Sequence, residues 1–111
     1  MTELQKALNK KDLRVIEAVK IVREAPVNTV EDAKLVADIF AQAYENKTLS
    51  QFIEGREQVI KVYSGMRRIK VERGEDIGSI EKSLEKWDKE LKKAIKADKI
   101  LRLHKVVYGG E

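Results

Sequence analysis

From Ile80 onward the sequence repeats with a period that dictates a long amphipathic helix. Ile80, Leu84, Trp87, Leu91 and Ala94 recur at steps of four, three, four and three, with Ile95 beside the last. Steps of three and four keep these side chains on one face, an apolar seam that either docks on a bundle or pairs with a second chain. The same register next reaches Asp98 and Leu101, and the acidic interruption argues against a coiled coil running through the C-terminus. Ser79 stands where a helix cap is needed, and the ending VVYGGE reads as frayed.

A basic pattern runs along the same helix. Lys82, Lys86, Lys89, Lys93 and Lys96 repeat at the same steps, each two residues after a seam position and so about 200° around the axis. At about 1.5 Å per residue they form a stripe about 21 Å long, a spacing that suits a phosphate backbone. Lysine is also a good helix former on solvated faces, and Glu85–Lys89 and Asp88–Lys92 are ordinary stabilising pairs four residues apart. The stripe is therefore read as either a solvated face or a binding surface.

Upstream, Leu4, Leu8, Val15, Ile16, Val19 and Val22 predict one helix from near Thr2 to about Glu24. Ala25-Pro26 ends it, because the residue before proline is pushed out of helical backbone. NTVE then offers a capping box, Asn28 with Glu31 or Thr29 with Asp32 in the adjacent register. A second helix follows, with Val30, Ala33, Val36, Ala37, Phe40, Ala43 and Tyr44 inward. Thr48 with Gln51 is another capping box and opens a third helix, whose face carries Phe52, Val59, Tyr63 and Met66.

The stretch GMRRIKVERGEDIG, residues 65–78, is where two structures compete. As helix, it is the joint at which the third element ends and the last begins. As strand, a Ser64-Gly65 turn would place Ile60 across from Ile69 and Val62 across from Arg67, and only the first pair is apolar on both sides. The preferred reading is all-α: residues 1–111 as one helical domain, a small bundle of about four helices with a long amphipathic C-terminal helix. The alternative is α+β, with a short hairpin near 58–72.

Composition narrows the chemistry. The 111 residues contain no cysteine, which excludes disulfides, thiolate metal sites and cysteine nucleophiles, and one histidine, His104, so no histidine pair exists to ligate a metal. No carboxylate stands out as a buried pair, no nucleophile elbow surrounds Ser64, and RGEDIGS places acids where a phosphate loop needs donors. No catalytic residue, metal site or cofactor is expected, and the chain is not expected to be an enzyme. No apolar run approaches the roughly 20 residues that cross a bilayer, so a cytoplasmic protein without a membrane partner is expected.

Charge is segregated rather than extreme. Residues 25–55 carry 2 Lys/Arg against 5 Asp/Glu, whereas 56–73 carry 6 against 2 and 79–105 carry 9 against 5. Arg67, Arg68, Lys70 and Arg73 form a second basic cluster, and the arginine fork suits phosphate or carboxylate. Mixed sign favours a binding module, an adaptor, assembly or inhibitor protein, that docks a protein partner through charged and amphipathic faces. Direct nucleic-acid binding through the lysine stripe and Arg67/Arg68 is the second expectation. A homo-oligomer built on the last helix serves either, with Leu84, Trp87 and Leu91 as interface anchors.

Overall fold

The computed structural model describes residues 3–9, 13–45 and 48–107, except the side chains of residues 106 and 107. Its elements are α1 (Glu3–Leu8), α2 (Val15–Glu24), α3 (Val30–Ala43), α4 (Leu49–Glu72) and α5 (Gly78–Val107), with no strand among the described residues. The all-α expectation holds, and the hairpin near 58–72 is overturned because that stretch is continuous helix within α4.

Local chemistry sets the boundaries. Thr29 and Thr48 both cap through reciprocal boxes, Thr29 with Asp32 and Thr48 with Gln51, so the Asn28–Glu31 register is the one not used. Helix α4 ends at Gly74, whose φ of 70° lies in the left-handed region where glycine carries no Cβ penalty. Gly74 N–H donates to the carbonyl of Val71 at 3.1 Å and Glu75 N–H to that of Lys70 at 2.9 Å, the paired bonds of a Schellman ending. The α5 start is capped by Asp76, which accepts from Gly78 N–H at 3.0 Å; Ser79, expected in that role, lies inside the first turn.

The expected first helix is two. Asn9, Leu13 and Arg14 are not helical, and α1 packs on α2 and α3, which encloses Leu4 completely and brings Leu8 and Leu13 against the core. A single straight helix would carry Leu4 away from that interior. The core-facing row of α2 is Ala18, Val19 and Val22, leaving Val15 and Ile16 outside.

Those residues meet Ala33, Val36, Ile39 and Phe40 of α3, Leu49 and Phe52 of α4, and Ala94 and Ala97 of α5 in one core. Phe40, Tyr44 and Phe52 cluster with ring centroids 4.6–6.0 Å apart. Beyond this core α4 and α5 continue side by side as an arm, and the molecule measures 53 × 34 × 23 Å. On α4, Leu49 and Phe52 are buried and no later residue is; the expected inward pair Val59 and Met66 are exposed. No helix among the described residues is long and apolar enough to cross a membrane.

Candidate docking groove beside a buried ionic cluster

The seam of α5 turns toward the core with a slightly different phase from the apolar spacing alone. Its enclosed positions are Ile80, Glu90, Ala94 and Ala97, whereas Ile95 is exposed, and Asp98 leaves the seam to pair with Arg102 at 2.9 Å. Leu84, Trp87 and Leu91 are half-buried within the chain. Trp87 meets Tyr63 of α4 edge to face at 4.8 Å. These three expected anchors thus lie on the seam that docks on the bundle.

Glu90 is fully enclosed and has three polar neighbours from three helices. The Tyr44 hydroxyl donates to its Oε1, Arg56 Nη1 lies 3.4 Å from the same oxygen, and Arg23 Nε lies 3.8 Å from Oε2. The two guanidinium contacts are ionic without hydrogen-bond geometry: Arg23 Nε, Arg56 Nη1 and Glu90 Oε2 make no hydrogen bond among the described residues. The Arg56 guanidinium instead lies 4.9 Å from the centroids of Tyr44 and Phe52 and 5.8 Å from that of Trp87, an arrangement that offsets part of its desolvation through the ring quadrupoles. Two cations against one carboxylate leave the cluster with an excess positive charge.

That charge stands beside an open groove. Val15, Ile16, Val19 and Arg23 of α2, Gln42, Ala43 and Tyr44 at the end of α3, and Lys86 of α5 line a space of about 370 Å³. Ile16 is 70% exposed there, an apolar side chain presented to solvent beside Val15 and edged by Arg23, Gln42 and Lys86. Next to it Lys82, Lys86 and Lys89 join Arg23, Glu24 and Glu85 around a smaller depression. Tyr44 and Arg23 therefore belong to the groove and the ionic cluster at once.

The lysine stripe divides in two. Lys89 pairs with Glu24 at 3.0 Å, the Lys93 ammonium donates to the carbonyl of Ala25, and Lys96 donates to Asn28 Oδ1 at 3.0 Å. Three lysines so gather at the C-terminus of α2, where the helix dipole and its last carbonyls favour cations. Burial, then the neighbouring Lys96, lowers the Lys93 pKa, against the opposing pull of Glu24. Lys86 remains exposed at the groove and Lys82 at the smaller depression beside it. Arg67 forms a bidentate contact with Glu81 through Nε and Nη2, while Arg68 and Arg73 are exposed and Lys70 half-buried on the arm.

Glu90, Arg23, Arg56 and Tyr44 are functional candidates that sequence reasoning missed. The available signal was spacing: Trp87, Glu90, Ala94 and Ala97 step by three, four and three, a row as regular as the apolar one. Comparison of the chain with known protein families, curated proteins and solved structures gives no match.

Proposed function

We propose that the protein is a non-enzymatic binding module that docks a protein partner, and that the groove between α2, the end of α3 and α5 receives it. The observation that carries this reading is the exposed pair Val15 and Ile16, with buried Val19 beneath them, set against Arg23 and Lys86. An apolar floor with a cationic edge suits a partner segment combining apolar side chains with Asp or Glu. The apolar contacts supply affinity, and the charges fix register and speed encounter.

The distribution of cations favours a protein over nucleic acid. Lys89, Lys93, Lys96 and Arg67 already hold partners within the chain, so a phosphate backbone would have to compete for nearly half of the nine cations that the sequence offers it. The groove needs none of those four.

The test is capture from the source cell in nuclease-treated lysate, comparing wild type with Ile16→Asp and Lys86→Glu. Both positions are exposed, so far-ultraviolet circular dichroism should be unchanged. The expected result is a protein retained by wild type and lost from Ile16→Asp, with a smaller loss for Lys86→Glu that wild type reproduces at raised salt. Capture abolished by nuclease, or retained fully by both variants, overturns the reading.

A further inference from the structure

The arm formed by α4 and α5 has an apolar face that none of the described residues covers. Among the residues of α4 that meet α5 are Arg56, Tyr63 and Arg67, through Glu90, Trp87 and Glu81. About a quarter-turn around the same helix lie Val59, Val62, Met66 and Ile69, which are 37, 58, 41 and 49% exposed. Their steps of three, four and three align them in a stripe about 15 Å long, at about 1.5 Å per residue. This is a coiled-coil seam without its partner helix. Two helices alone cannot enclose an interior, and from Ile53 to Glu72 no side chain of α4 is buried.

Spacing and charge together indicate what covers it. The steps read the same in both directions, so an antiparallel copy of α4 would set Val59 against Ile69 of the second copy and Val62 against its Met66. The same register sets Gly55 against Arg73 of the second copy, bringing that guanidinium beside Glu54. By two-fold symmetry the contact occurs twice. The start of α4 carries Glu54 and Glu57 around Arg56, which is held at Glu90, whereas its end carries Arg67, Arg68, Lys70 and Arg73 against Glu72. Antiparallel pairing therefore joins Arg73 to Glu54, whereas parallel pairing in register would set Arg73 against Arg73.

Gly65 marks the centre. It lies at the edge of the stripe one residue from the midpoint, and a Cβ built on it meets no heavy atom within 4 Å. Two backbones can thus come closest where the symmetry axis would cross. We infer that the chain forms a two-fold symmetric homodimer through the exposed face of α4, the two α4–α5 arms closing into a four-helix bundle. Such an isologous interface uses the same surface on both copies and leaves the groove at Ile16 outside it.

Sedimentation equilibrium on the full chain tests this. Wild type is expected at twice the 12.7 kDa chain mass. Val62→Asp and Met66→Asp, both at exposed positions, are expected as monomers with unchanged circular dichroism, and Ile16→Asp as a dimer. Arg73→Glu and Glu54→Lys should each weaken association about tenfold, and their combination should restore it. Since the chain has no cysteine, Gly65→Cys adds a clean reporter: it should form disulfide-linked dimers faster than Lys20→Cys on the exposed face of α2. A wild-type monomer at about 100 µM, where even a micromolar Kd gives mostly dimer, overturns the inference. A dimer that survives both aspartates overturns the surface.

Discussion

The hydroxyl of Tyr44, at the C-terminus of α3, donates a hydrogen bond to Glu90, an α5 carboxylate with no exposed side-chain surface. This bond joins the aromatic cluster to the ionic one, and it places a polar group of the groove lining in direct contact with the charge behind it.

Removing the carboxylate should be far more costly than removing the whole ionic set. Glu90→Leu leaves Arg23 and Arg56, both mostly buried, without their counter-ion, a loss of up to about 3 kcal/mol because each guanidinium side chain keeps some contact with solvent. It would appear as a lower urea midpoint at unchanged slope. The triple variant Arg23→Met, Arg56→Leu, Glu90→Leu removes the charges together and should recover most of that loss. A triple variant as unstable as the single one would show that Glu90 supports the fold by other means.

Tyr44 and Lys93 should give opposing alkaline slopes. Burial first, then the hydrogen bond and charge of Glu90, raises the Tyr44 pKa from 10.0, with Arg56 pulling it down. Its contribution to stability is full below pH 10.0 and is lost as pH rises through the raised folded-state value. Lys93 is lowered from 10.5, so its contribution is full above that pH and is lost as pH falls through the depressed value. Relative to wild type, stability of Tyr44→Phe should climb through the alkaline range and that of Lys93→Met should decline. Parallel denaturation profiles for the three proteins would rule out both assignments.

Three glycines should respond differently to alanine. Gly55 and Gly65 lie within α4 with open space around a new Cβ. Alanine at Gly55 should stabilise by about 0.4–1 kcal/mol, chiefly by restricting the unfolded chain, whereas at Gly65 the same gain holds for the monomer and is offset in the dimer by crowding at the two-fold axis. At Gly74, with φ 70°, alanine meets left-handed backbone and should cost about 1 kcal/mol or more. Thermal melts of the three single variants would reveal the expected reversal of sign.

The two capping boxes should differ in cost. Thr48→Ala removes one exposed box and should cost about 1 kcal/mol. Asp32 is buried and accepts from Asn28 N–H at 3.1 Å and Thr29 N–H at 3.3 Å, so Asp32→Ala strands two donors. Its cost should be about twice that of Thr48→Ala, given roughly 1 kcal/mol or more for each unsatisfied group. Equal midpoints for the two variants would contradict the structure.

Much of the fold was legible because periodicity and capping are local. The seam of α5, both threonine caps and the break at Pro26 all rest on neighbouring residues. The failures came where distant chain segments decide. An apolar row through Leu91 and a mixed row through Glu90 interleave on one face, and only the arrival of Arg23, Tyr44 and Arg56 selects the second. β-branched Val59, Ile60, Val62 and Val71 with two glycines weaken helix propensity, yet packing of Tyr63 on Trp87 and the strong Gly74 ending hold α4 as helix. The break between α1 and α2 was hidden because helical spacing continues across it, although the gain lies in enclosing Leu4. For the lysine stripe, spacing gave a straight line but could not show that the end of α2 lies under three of its five lysines.

The arm implies a graded rigidity within the one chain. Its tip is joined by short-range contacts, such as Arg67 with Glu81, and carries little enclosed apolar surface. In the dissociated monomer, backbone amides near Ile69 and Ser79 should therefore exchange with solvent through partial openings that leave Phe40 and Ala94 protected. Closing that tip again requires bridging only the Gly74 turn, so its recovery should be among the fastest steps the molecule makes.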